Sequence, residues 1–189
     1  MTGVSTGINP RGIKPTGIKP TGINPRGMEP RGSDSSIRVL GLGNDILGDD
    51  ALGILVARQA EPRFGGQVEV LSSSQAGFHV MDQLLGVSRL VVVDCIQTGA
   101  AKPGTVYVLD EHAVRPAPGV SSHSLGIFEV LAVARSLGLP APAQCVILAV
   151  EAADCTTVGG SMHRDVEAAI SVVMEWIGRF LAGEPGGAV

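Results

Sequence analysis

RLVVVDCI, residues 89–96, decides the fold. Leu90 to Val93 run without polar alternation, the pattern of a strand covered on both faces, and such strands belong to parallel sheets sandwiched by helices. The chain upstream agrees. IRVLGL (37–42) is a short apolar strand, DALGILVARQAE (50–61) has apolar residues at helical spacing, VEVLSS (68–73) is a second strand, and FHVMDQLLG (78–86) is a helix closed by Gly86. Strand, helix, strand, helix, strand implies three parallel strands joined by right-handed crossovers.

Downstream the rule changes. Eight residues link Ile96 to Thr105, fewer than the roughly 10–12 that a crossover needs. The strand TVYVLD (105–110) is therefore expected antiparallel, entered by a tight turn at Lys102, Pro103 and Gly104. A long helix (123–138), a fifth strand QCVILAVEA (144–152) and a last helix (163–182) follow. That last helix carries Val166, Ala169, Ile170, Val173, Met174, Ile177 and Phe180 on one stripe. The expected fold is α/β, a three-layer α/β/α sandwich with a mostly parallel five-stranded sheet and one antiparallel strand.

The first 33 residues are set apart from this. Residues 6–30 read TGINP RGIKP TGIKP TGINP RGMEP, five copies of a five-residue unit. Proline at every fifth position removes a donor, and glycine adds unfolded-state entropy, so neither helix nor sheet is favoured. Residues 1–33 are read as a disordered, partly polyproline-like tail, and 34–189 as the folded domain. Translation from Met28 would remove most of the repeat. The tail carries net +4 in a chain of net −4, which leaves −8 on the rest. An acidic body with 3% aromatic residues is not built for nucleic acid.

Three cysteines, Cys95, Cys145 and Cys155, are an odd number without C-x-x-C spacing, which supports neither a disulfide framework nor a zinc knuckle. Two sit in apolar runs and read as small buried hydrophobes. No apolar run approaches the ~18 residues of a membrane span, so the expectation is a cytoplasmic protein with no membrane insertion.

Open α/β sheets do their chemistry at the carboxyl ends of their parallel strands. The turn after the first strand, GLGNDILGDD (41–50), brings Asn44, Asp45, Asp49 and Asp50 there; the end of 89–96 brings Asp94. The helix at 123–138 must run back toward the start of the fifth strand, so it begins on this same edge, at His123. Asp49 is read as the helix cap and Asp50 as the acid on offer. Two carboxylates and an imidazole suit a borderline divalent cation such as nickel, zinc or iron, and are too few oxygens for calcium. His79, His112 and His163 read as surface or capping residues.

The glycine turn is not a phosphate loop. G-x-G-x-x-G from Gly41 would need glycine where Ile46 stands, and a P-loop from Gly43 would need Lys and Ser or Thr where Asp49 and Asp50 stand. Two acids at a helix start repel the phosphate that its amides attract. No G-x-S-x-G elbow or H-E-x-x-H helix is present, and strand alternation turns Cys95 away from Asp94.

GLGNDILGDDALG (41–53), VVVDCI (91–96) with PGTVYVL (103–109), and SSHSLG (121–126) resemble, in order and spacing, the [NiFe] hydrogenase maturation proteases. The likeness spans residues 37–180. It implies an endopeptidase that removes the C-terminal extension of a hydrogenase large-subunit precursor after nickel insertion. Asp50, Asp94 and His123 would contact nickel supplied by the substrate, with no organic cofactor. The chain departs from the family at Ser72, Ser73, Ser74 and Gln75, where many members have D-G-G-T; at Met162, His163 and Arg164, where L-S-P is usual; and at Asp50, where many have glutamate. Competing readings are a metal-dependent hydrolase with its own bound metal, and a non-catalytic hydrogenase-assembly chaperone. A flavodoxin-like cofactor binder is disfavoured by the acids and the scarcity of aromatics.

Overall fold

The computed structural model describes residues 36–111 and 122–184, with the backbone alone at 122–125. The repeat tail and His112 lie outside the described residues. Five strands, β1 (Ile37–Leu42), β2 (Glu69–Ser73), β3 (Arg89–Ile96), β4 (Val106–Asp110) and β5 (Gln144–Glu151), form one sheet in the order β2-β1-β3-β5-β4. β1 pairs in parallel with β2 and β3, and β3 in parallel with β5. β4 alone is antiparallel, from Val106↔Val150 to Asp110↔Val146. The short link dictates this: Thr105 N donates to Lys102 O at 3.1 Å, and Gly104, at φ +85°, turns the chain where a side chain would meet Asp165 O.

β3 is central, as its composition demands. Val91, Val93 and Cys95 face α1 (Leu52–Phe64) and α4 (Arg164–Leu181), whereas Leu90, Val92 and Ile96 face α2 (Met81–Leu84) and α3 (Ser122–Ser136). Helices thus cover both faces, completing the three-layer sandwich. Every member of the α4 stripe named above is buried.

Two elements differ from expectation at their ends. The helix before Gly86 shrinks to a 3-10 turn (Gly77–Val80) and the single turn of α2, because Leu85 is already extended and Gly86 sits at φ +80°. The helix after β1 starts earlier, as a 3-10 turn over Gly48–Ala51 that runs directly into α1.

Candidate active site at the carboxyl edge of the sheet

Glycine contacts seat the Asp50 turn on the sheet. A Cβ on Gly53 would lie 2.0 Å from Leu42 O and 2.7 Å from Val93 O, and one on Gly41 would lie 1.9 Å from Gly53 O. Only glycine lets the first turn of α1 rest on β1 and β3 this closely. At Gly43, φ +146°, a Cβ would lie 1.9 Å from Asp50 O, the same oxygen that accepts from Asn44 N at 3.1 Å. Asp50 is therefore clamped by its backbone against Gly43 and Asn44, three residues before Gly53, which itself packs against Val93 O of β3.

Asp94 lies deeper than the sequence suggests. β3 continues through Cys95 and Ile96, both buried, and Asp94 itself is 2% exposed. Its Oδ1 accepts from Cys95 N at 2.9 Å. By strand alternation it shares a face with Leu90, Val92 and Ile96, the face covered by Ile127, Val130 and Leu131 of α3. His123 stands one turn before Ile127, in the first turn of α3, and α3 runs from this edge back toward the start of β5. The structure thus brings the Asp50 turn, Asp94 and the backbone of His123 to one edge; the His123 side chain lies outside the described residues.

Asp49 does not cap the helix. The residue preceding the 3-10 turn is Leu47, and no side chain caps it. Asp49 is instead 1% exposed and reaches the loop after β5: its Oδ2 accepts from Ala153 N at 2.7 Å and Asp154 N at 2.9 Å, its Oδ1 from His163 N at 2.6 Å. The capping expectation fails because both carboxylate oxygens are taken by three loop amides that need an acceptor, those of Ala153, Asp154 and His163. His163 does cap, its Nδ1 accepting from Asp165 N at 3.2 Å, and His79 is exposed.

A further buried acid, Glu151, closes β5 on this edge. Its Oε1 accepts from Thr98 N and Gly99 N, both at 2.8 Å, and its Oε2 from Thr98 Oγ1 at 2.7 Å and Tyr107 Oη at 3.1 Å. Burial alone would push its carboxyl up; the Thr98 hydroxyl, the Gly99 and Thr98 amides and Tyr107 outweigh it and hold the group below the usual glutamate range. In register Ile96↔Glu151 and Asp94↔Ala149, so Glu151 and Asp94 share one face two residues apart along neighbouring strands. The sequence signal was the same for both: one acid at the end of an apolar strand.

The serine loop occupies the same edge and is bonded within itself. Ser73 Oγ accepts from Gln75 N and Gln83 Nε2, each at 3.1 Å. The Cys95 thiol is pushed up by its hydrogen bond with Cys155 and by burial, and Cys145 by burial. Neither supplies a thiolate nucleophile.

The sequence profile described as HycI, hydrogenase maturation protease, matches residues 55–179. The chain belongs to the hydrogenase maturation protease family. Its match to the hydrogenase expression/formation protein HoxM of Cupriavidus necator is 28% identical over 72% of this chain and 69% of that protein. Its match to the hydrogenase 2 maturation protease of Escherichia coli is 33% identical over 54% of this chain and 65% of that one. The solved structure of the E. coli hydrogenase maturating endopeptidase HybD superposes with a TM-score of 0.65 at 27% identity, covering 78% of this chain and 93% of HybD.

As a hydrogenase maturation protease this chain is a hydrolase of peptide bonds, and its mixed sheet is the fold of that family. Among the described residues no helix is long and apolar enough to cross a membrane, and no three His, Cys, Asp or Glu side chains gather as a metal site. The matched region takes in Asp94 and His123 and begins just after Asp50.

Proposed function

We propose that this chain removes the C-terminal extension of a [NiFe] hydrogenase large-subunit precursor, using Asp50, Asp94 and His123 to engage nickel already held by that substrate. The observation that carries the reading is the burial of Asp94, the residue after Val93, whose carbonyl lies against Gly53 where the helix after the Asp50 turn rests on β3. Burying an acid here without a purpose is costly. Two carboxylates and an imidazole are a donor set suited to a borderline cation, and a set of three leaves the remaining positions open for the groups the substrate brings. No organic cofactor is needed. With both buried thiols held protonated, water is the nucleophile: its oxygen adds to the scissile carbonyl carbon, the C–N bond breaks, and the proton passes to the leaving amine.

The decisive test is incubation with nickel-loaded and nickel-free precursor, followed by mass analysis of the large subunit. Cleavage of the loaded form alone is expected. Asp94→Ala and His123→Ala should each abolish processing; an active double variant refutes the site. Purified protein carrying stoichiometric metal would refute the assignment of nickel to the substrate.

A further inference from the structure

Two of the three cysteines meet beside the site. Cys95 is buried on β3 and Cys155 is half-buried in the loop after β5, and the two thiols share a hydrogen bond. Both belong to the core between the sheet, α1 and α4: Cys95 is part of it and Cys155 packs against it. Cys145 is buried on the other face of the sheet. An accessible thiol next to a second one that can resolve it is the arrangement in which oxidation stops at a reversible disulfide.

Each thiol adjoins an acid of the Asp50 and Asp94 edge. Cys95 N donates to Asp94 Oδ1 at 2.9 Å. Cys155 follows Asp154, whose amide donates to Asp49 Oδ2 at 2.9 Å and whose carbonyl accepts from Asp49 N at 3.0 Å. Asp50 is the next residue. The two anchors differ in stiffness. β3 is paired on both sides, and Cys95 stands opposite Val150 of β5. The Cys155 loop is instead tied down by the Asp49 carboxylate, through Ala153, Asp154 and His163, and by the bonds of Asp154 to Thr156 and Thr157. A covalent bond draws the sulfurs closer than a non-bonded contact, so the loop has to move toward the strand, and it pulls on Asp49 as it does.

We propose that Cys95 and Cys155 are an oxidative modification site: a peroxide joins them in a disulfide that displaces the loop after β5 and slows processing until a thiol reductant reopens it. The disulfide stands apart from the endopeptidase reading above; its effect on processing rests on that reading. Cys155, the accessible partner, reacts first. Its sulfur attacks a peroxide oxygen, the O–O bond breaks, and a sulfenic acid and water are left. The Cys95 sulfur then attacks the Cys155 sulfur, the S–O bond breaks, and the Cys95 proton leaves with the hydroxide as a second water. The two thiols give up two electrons and the peroxide takes them.

The test treats the reduced full chain with hydrogen peroxide, removes the peroxide, and follows intact mass, thiol titre in urea, the peptide map and processing of the nickel-loaded precursor. Two of the three thiols should disappear, the mass should fall by two hydrogens, and the Cys95 and Cys155 peptides should be linked. Processing should slow about tenfold or more, the scale of a displaced site, and dithiothreitol should restore it. Cys155→Ser should match reduced wild type and ignore peroxide; Cys95→Ala should gain oxygen on Cys155 in place of the link. Oxygen added to Cys155 of the wild type without a link to Cys95 overturns the pair, as does an unchanged thiol titre. A link that leaves processing at its reduced rate, or a Cys155→Ser chain still inactivated by peroxide, overturns the effect on the site. A reduced wild-type chain that does not cleave the loaded precursor sinks the endopeptidase reading, while mass and peptide map still decide the disulfide.

Discussion

Glu151 separates charge from hydrogen-bonding capacity in a single position. Its four partners are two backbone amides on Oε1 and two hydroxyls on Oε2. Glutamine can keep all four. Its carbonyl replaces Oε1 toward Thr98 N and Gly99 N, and its NH2 group donates to the Thr98 and Tyr107 oxygens once both hydroxyls turn their protons away. Glu151→Gln therefore exchanges charge-assisted bonds for neutral ones while relieving a buried charge, a net cost of about 1–2 kcal/mol. Glu151→Ala leaves the Thr98 and Gly99 amides without an acceptor at about 1–3 kcal/mol each, and adds a small cavity, for a total of about 4 kcal/mol. At ~2–4 °C per kcal/mol, alanine should lower Tm by roughly 10–15 °C and glutamine by less than half of that.

The pH dependence gives the sharper check. The folded-state carboxyl is held below the ordinary glutamate value of 4.5. Its contribution is therefore fully present above that value and is lost as pH falls through the depressed folded-state value. Urea denaturation at pH 7 and near pH 3 should show the gap between wild type and Glu151→Gln shrinking at the acid end. A gap that is constant with pH, or an alanine variant no less stable than glutamine, refutes the account.

Other substitutions test the scaffold around the site. Gly53→Ala puts a Cβ 2.0 Å from Leu42 O; α1 has to lift, costing about 3 kcal/mol, and processing should fall more than folding does, because Asp50 moves off β3. Asp49→Ala strands three amides and should cost about 4 kcal/mol in denaturant melts, with Asp49→Asn roughly half as severe because its carbonyl can serve Ala153 and Asp154 while its NH2 opposes His163 N. Iodoacetamide at pH 8 should label Cys155 in the native protein and reach Cys95 and Cys145 only in urea; rapid labelling of Cys95 would contradict its burial and its raised thiol.

Periodicity made most of the fold legible. The unbroken apolar run of β3 placed it at the centre, and the shortness of the Ile96 to Thr105 link dictated the antiparallel β4. The edge that carries Asp50 and Asp94 followed from strand direction alone. What stayed hidden were contacts between loops distant in sequence. Asp49 looks like a cap because its nearest amides in sequence are helical, yet its bonds go 104, 105 and 114 residues away. Glu151 carried a readable signal, but its four donors come from Thr98, Gly99 and Tyr107, far upstream of it in the chain. The end of the helix before Gly86 was overread because the apolar pattern continues after the backbone has become extended at Leu85.

The adjacent acids of the Asp49–Asp50 turn stand in different surroundings, and under the proposed function they would have opposite tasks. In a 3-10 turn, neighbouring side chains diverge by about a third of a revolution, so one faces the loop after β5 while the next is turned away from it. Asp49, 1% exposed, spends both oxygens on backbone amides. Asp50, partly exposed, is placed by its carbonyl against Gly43 and Asn44, which leaves its position independent of what its carboxylate binds. Under the proposed function the two roles would not exchange: an acid at 49 engaging a substrate cation would give up its bonds to Ala153, Asp154 and His163 and release the loop after β5. Glutamate at position 50 should therefore be tolerated, since one more methylene extends toward the substrate, whereas glutamate at 49 must fit an extra methylene among three amides already at 2.6–2.9 Å and should unfold the loop.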